Sequence, residues 1–312
     1  MAIAFKKKWR EIRSRLEWVP IAIAHAIVPH LSRRAVLTLA RWAGFAGPFL
    51  DRRGARLAQA NIDFVFPRLS VQRKRAILIG CYRNIARVML DMFWFGKESA
   101  ARVKAWTSLS ADWKRYLDLP GPKVIVTAHH GNWEMAGHVV VSHGYPLMSV
   151  GKRLGSDDTT RRLNAFRARL GQEIVFADGA VMPLLRTLKK GNNIALLADQ
   201  HLREREGGIW VRFLGHWALT APTPAFFAQR VKQATIAVAY MQARPDGRYR
   251  CAMPIVVEQV PGESMQALTQ RIADASSALI RRFPTQWLFA YARWKDVPEN
   301  GSPADYPFYA SE

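Results

Sequence analysis

A chain of 312 residues, 49% hydrophobic and 22% charged, can bury a sizeable core, which excludes an extensively disordered protein. Its charge is lopsided: 46 Lys and Arg against 24 Asp and Glu give +22, a field that draws polyanions without choosing among nucleic acid, anionic lipid and an acidic protein. Cys81 and Cys251 stand far apart and outside any C-x-x-C pattern, which argues against a disulfide framework or a cysteine-rich zinc site and fits a reducing compartment.

The first elements in the chain are apolar and basic. FKKKWREIRSRLEW (5–18) is a basic amphipathic helix pattern, and VPIAIAHAIVPHL (19–31) follows without a formal charge. That run is shorter than the roughly 20 residues needed to cross a bilayer. SRR (32–34) interrupts before a second apolar stretch, 35–50, which carries Arg41. AIVPHLSRR is a poor signal-peptide cleavage site, so the segment is expected to be retained. Trp9 and Trp18 among Lys and Arg suit a membrane interface, and residues 1–50 are expected to form membrane-associating helices, peripheral or single-pass. The competing expectation is a set of soluble helices packed on the domain. Residues 51–312 form the main domain.

Beyond residue 50 the pattern becomes α/β. Short β-branched runs at 123–128, 146–151, 173–177, 193–198, 235–240 and 248–257 predict strands. Residues 158–171 and 180–191 predict helices, each closed by a glycine, and 263–284 predicts a long amphipathic helix ended by Pro284. RPDGRY (244–249) predicts a tight turn between antiparallel strands near the sheet's edge. This alternation implies a mostly parallel central sheet flanked by helices, with any site at the C-terminal ends of the strands.

TAHHGNWEMAGH (127–138) falls at such an end. His129 and Glu134 would lie roughly 140° apart on an ideal helix, so they converge only if the chain turns at Gly131 and Asn132, with Asn132 as helix N-cap. In that case Glu134 orients one imidazole nitrogen of His129 while the other takes a proton from a hydroxyl. A second reading places His130, Glu134 and His138 on one helix face around a divalent metal, and a third makes the histidines plain packing.

Several separated segments together resemble the lipid A late acyltransferases, within the wider H-x4-D/E glycerolipid acyltransferases. They are NIDFVFPRLS (61–70), CYRNIARVMLDMF (81–93), HHGNWE (129–134), RLNAFRARLG (162–171), LLADQ (196–200), VRFLGHWALTAPTPAFFA (211–228) and RRFPTQWLFAYARWK (281–295). The sequence departs from that pattern at Ala86, at Asp91, at Leu214 after Phe213, and at Lys152 before Arg153.

The resemblance implies a glycerolipid-acyltransferase-like fold and an acyltransferase domain over 51–312. The reaction it implies moves a fatty acyl chain from an acyl carrier protein thioester to a hydroxyl of a membrane glycolipid, a lipid A precursor above all, at the cytoplasmic face of the inner membrane. His129 is then the base, Glu134 its orienting carboxylate, and Arg167 the oxyanion donor, aided by the backbone N–H groups of Gly131 and Asn132. Arg153 and Asp199 join the substrate site; Asp199 is expected to position an arginine or the acceptor, or to cap a turn. No cofactor or metal is implied, acyl-carrier protein being the donor substrate. Trp133, Met135, Phe213 and Trp217 are candidates for shaping an acyl cavity, and Arg203, Arg205, Arg230, Lys232, Arg281 and Arg282 for a basic rim facing the carrier protein and the anionic acceptor. Two other classes give different expectations: a metal-dependent hydrolase built on His130, Glu134 and His138, and a nucleic-acid-binding protein, for which no zinc-finger, RNP-like or helix-turn-helix signature is present. Nucleic acid is therefore not an expected partner, and oligomeric state is left open.

Overall fold

The computed structural model describes residues 21–151 and 157–310. Residues 21–27 are helical, and α1 (Arg33–Leu50), α2 (Arg52–Val65), α3 (Val71–Trp94) and α4 (Ser99–Trp106) follow. Side-chain oxygens cap the first three: Ser32 accepts from Ala35 N, Asp51 from Gly54 N and Ser70 from Arg73 N. The face of α1 that carries Val36, Ala40 and Gly44 is buried, and a Cβ at Gly44 would collide with Arg83 of α3. Arg33 locks this packing by pairing with the buried Asp91 and donating to the Gly247 carbonyl. On α1, Leu39, Trp42, Phe45, Phe49 and Leu50 stay exposed, Trp42 at 69%. Among the described residues no helix is long and apolar enough to cross a membrane. The basic segment 5–18 lies outside the described residues.

The α/β alternation is then realised as β1 (Thr107–Leu109), α5 (Ala111–Asp118), β2 (Lys123–Thr127), α6 (Trp133–Ser142), β3 (Leu147–Gly151), α7 (Asp157–Ala168), β4 (Glu173–Phe176), α8 (Val181–Lys189) and β5 (Asn193–Leu197). After these come β6 (Ile209–Phe213), β7 (His216–Thr220), α9 (Thr223–Arg230), β8 (Thr235–Val238), β9 (Met241–Ala243), β10 (Tyr249–Cys251), β11 (Ile255–Val257) and α10 (Met265–Arg282). The central sheet has the order β11-β8-β2-β5-β3-β4, parallel except for β11. All five residues of β2 are buried, as a strand covered on both faces requires. Its side chains alternate between two cores: Val124 and Val126 join Leu184, Leu188, Phe227 and Leu268, whereas Ile125 joins Trp113, Met135 and Val139.

Three details differ from the sequence-based expectation. The run 248–257 splits into β10 and β11 around Pro254, which has no N–H to donate to a ladder. The turn at 244–249 does join antiparallel strands, β9 and β10, but in a separate small sheet with β1. Residues 209–220 form an unanticipated hairpin of β6 and β7 whose two-residue turn puts Leu214 at φ 51° and Gly215 at φ 91°. Leu214 holds this conformation in the core, its N–H bonded to Ser277 Oγ and its carbonyl to Arg281.

Candidate active site

β2 and β5 are adjacent and parallel, so their C-terminal ends deliver side chains to the same place. From β2 comes His129 and from β5 comes Asp199. The His129 ring nitrogen Nδ1 lies 2.9 Å from Asp199 Oδ1, and the His129 backbone N–H donates to Oδ2 at 2.9 Å. Trp287 Nε1–H also donates to Oδ2, at 2.8 Å. Burial pushes the Asp199 carboxyl up, but the His129 ring, the Trp287 N–H and the His129 amide outweigh it and hold the carboxyl below the usual carboxylate range. An ionised Asp199 accepts a hydrogen bond from Nδ1–H, which keeps the proton on Nδ1 and leaves Nε2 as the basic nitrogen of His129.

The carboxylate on His129 is therefore Asp199, not the expected Glu134. Gly131 (φ 64°) turns the chain, and Asn132 caps α6 by accepting from Met135 N, so Glu134 enters the first turn of α6 facing α7. There both of its oxygens accept from Arg167, Oε2 from Nε at 2.8 Å and Oε1 from Nη2 at 2.7 Å. Burial lowers the proton affinity of Arg167, and Glu134 more than restores it, so the guanidinium stays charged. Nη1 of Arg167 is buried with no hydrogen-bond partner among the described residues. His129, Glu134 and Arg167 nonetheless face one cavity.

Both glycine and asparagine amides of the turn between them are bonded. Gly131 N–H donates to the Gln286 carbonyl and Asn132 N–H to the Met241 carbonyl, both at 2.9 Å. Asn84, buried in α3, donates to the carbonyls of Gly131 and Gln286 at 2.8 and 3.0 Å. A Cβ at Gly131 would collide with the Met241 carbonyl oxygen, so the position requires glycine. With both amides committed, Gly131 and Asn132 are not free to help an oxyanion, and their role is to hold the turn. Arg153 lies outside the described residues.

The metal reading loses its ligands here. His130 points away from the cavity, its Nε2 3.0 Å from the Phe283 carbonyl and its ring stacked on Tyr240 at 4.1 Å. His138 is buried edge-on against Phe166 at 4.5 Å. Burial pushes both imidazoles down to about 4. Among the described residues no three His, Cys, Asp or Glu side chains gather as a metal-ligand group.

The cavity measures about 1550 Å³, beyond the roughly 300–1,000 Å³ of an ordinary small-molecule pocket. Met92, Phe93, Phe166, Leu184, Leu196 and Phe227 give it a largely apolar wall. Of the four residues expected to shape an acyl cavity, Trp133 lines it. Met135 and Phe213 are core instead, and Trp217 lies under Arg212 on the surface. The residues missed as site-builders are Asn84, Gln286 and Trp287. Their one signal in the sequence was their place within the NIAR and PTQW segments, which says nothing of what they touch.

The profile of a family described as bacterial lipid A biosynthesis acyltransferase matches residues 2–296. A phosphatidylinositol mannoside acyltransferase of Mycolicibacterium smegmatis is 28% identical over 193 residues, 61% of this chain and 59% of that protein. Phosphatidylinositol mannoside acyltransferases from two strains of Mycobacterium tuberculosis are each 25% identical over 176 residues, 55% of this chain and 54% of theirs. The matched region thus spans between half and two thirds of the length of these curated relatives.

Proposed function

Because the chain belongs to the bacterial lipid A biosynthesis acyltransferase family, we propose that it transfers a fatty acyl chain from an acyl carrier protein thioester to a hydroxyl of a membrane glycolipid. The observation that carries this reading is a His129–Asp199 pair at adjacent strand ends, opening on a large cavity with an apolar wall. In the reaction, His129 Nε2 takes the hydroxyl proton as the acceptor oxygen attacks the thioester carbonyl carbon. The C–O bond forms, the C–S bond breaks, and the proton passes from the imidazolium to the leaving thiolate. Asp199 fixes the tautomer and stabilises the imidazolium, as the carboxylate of a catalytic triad does. Arg167, held by the two bonds it donates to Glu134, lines the same cavity and sets its positive charge towards the oxygen on which negative charge develops.

Activation of the hydroxyl falls to His129 rather than to a metal, because His130 is committed to Phe283 and Glu134 to Arg167. The acceptor is a glycolipid: the family is described by lipid A and the relatives by phosphatidylinositol mannoside, and a lipid A precursor is the acceptor we favour. The exposed apolar side chains of α1 stand beside Arg41, Arg52 and Arg53, which supports attachment to an anionic membrane surface, proposed as the cytoplasmic face of the inner membrane. The test is an in vitro reaction of the wild type and His129→Ala with a panel of acyl carrier protein thioesters and lipid acceptors, read by mass spectrometry. Transfer by the wild type and its loss in the variant is the expected result; transfer at the wild-type rate without His129 overturns it.

A further inference from the structure

Resting on that reading, we propose that the cavity rim beside the C-terminal end of α3 is a phosphate subsite, formed by Lys97, Arg162 and Arg169 with His30, for a phosphate group carried by a substrate. All four side chains line the cavity that reaches His129. Three of them are drawn together by contacts: Lys97 Nζ lies 3.4 Å from His30 Nδ1, and Arg169 donates to the carbonyl of Gly96, next to Lys97. Neither Lys97 nor Arg169 is in an ion pair with a carboxylate among the described residues. Two carboxylates also line the cavity, Glu98 and Glu134, and Glu134 is neutralised by Arg167. Lys97 and Arg169 against Glu98 thus leave an excess of positive charge at the edge of an apolar wall that includes Met89, Met92 and Phe93. Cations exposed above an apolar wall match a ligand with an anionic head and a fatty tail. The six basic residues expected from the sequence to form such a rim do not line this cavity.

Phosphate can arrive on either substrate: on the head of the glycolipid acceptor, or in the phosphopantetheine arm of the thioester donor. The experiment measures KM and kcat for the wild type, Lys97→Ala, Arg169→Gln and the double variant in four combinations. The acceptor is offered with and without its phosphate, and the acyl chain is offered on phosphopantetheine or on phosphate-free pantetheine. For each single variant KM is expected to rise about tenfold, the effect of one charge-assisted contact, and further for the double variant, only for the phosphate-bearing substrate that uses the rim, with kcat held. Whichever KM moves names the source of the phosphate. An equal rise with and without phosphate, or no rise in the double variant, overturns the proposal. Calorimetric binding of dodecyl phosphate against dodecyl maltoside reads the rim without turnover. Weaker binding of the phosphate alone in the double variant supports the subsite, and equal binding by wild type and variant overturns it. A wild type that transfers nothing in any combination, yet shows this phosphate selectivity, would sink the acyltransfer reading and leave the subsite standing.

Discussion

His129 and His130 are neighbours in the chain and belong to different regions of the molecule. His129 opens on the cavity with a carboxylate behind it, while His130 turns into the interior, bonded to a carbonyl and stacked on Tyr240. The same contrast runs through the whole turn. On the cavity side Nε2 of His129 is left over, and Arg167, which lines the same cavity, keeps a buried Nη1 without a partner among the described residues. On the core side, Gly131, Asn132, Asn84 and Gln286 have their polar atoms bonded to one another and to β9. Residue type alone therefore does not make a site; the difference lies in whether the surrounding fold leaves a functional atom without a structural duty.

That contrast can be broken by substitution. Cavity-side changes should remove activity and leave the fold, and core-side changes should do the reverse. His129→Ala is expected to lower kcat by roughly three to four orders of magnitude with little change in thermal midpoint, checked by steady-state acyl transfer and calorimetry. Asp199→Asn, which keeps the shape but not the charge, should cost about a thousandfold in kcat. A loss under threefold would assign Asp199 to structure. Arg167→Gln removes the guanidinium opposite Glu134 and should slow kcat about a hundredfold, with wild-type activity the outcome that ends its oxyanion role.

The smallest effect on activity belongs to His130, and it sharpens the comparison through stability. Its folded-state value near 4 lies below the ordinary 6.5, so between those values the unfolded chain holds a proton that the folded one refuses. Stability contributed by the neutral ring is therefore complete above about pH 6.5 and is lost as pH falls towards 4. His138 acts in the same sense. In His130→Phe the ring keeps its stack on Tyr240 but takes up no proton and leaves the Phe283 carbonyl unpaired. The variant should melt lower than the wild type at pH 8 and lose less on going to pH 5, as read from melting curves. A pH slope as steep as that of the wild type would remove His130 from this account.

The β-branched runs marked β2, β3, β4, β5 and β8, most clearly β2, where burial on both faces leaves an uninterrupted apolar signature, and glycines marked the ends of α7 and α8 for steric reasons. The placement of His129 at a strand end was legible for the same cause. Its partner was not. Glu134 is five residues away, and Asp199 is brought to His129 by the pairing of β2 with β5, across two intervening strands of sequence. Strand order is a property of the assembled sheet, and no local pattern carries it. The β6–β7 hairpin was hidden because its turn places a leucine in a conformation usually reserved for glycine or asparagine, and Ser277 and Arg281 from a distant helix hold it there.

Asp199 accepts from Trp287, 88 residues further along the chain, and this has a bearing on synthesis. A ribosome makes His129 and Asp199 long before the indole that steadies them. Until the segment carrying Trp287 has emerged and threaded beside the turn, the nascent polypeptide holds its future base unbuttressed, so chemical competence should arrive abruptly, only after that indole has left the ribosome.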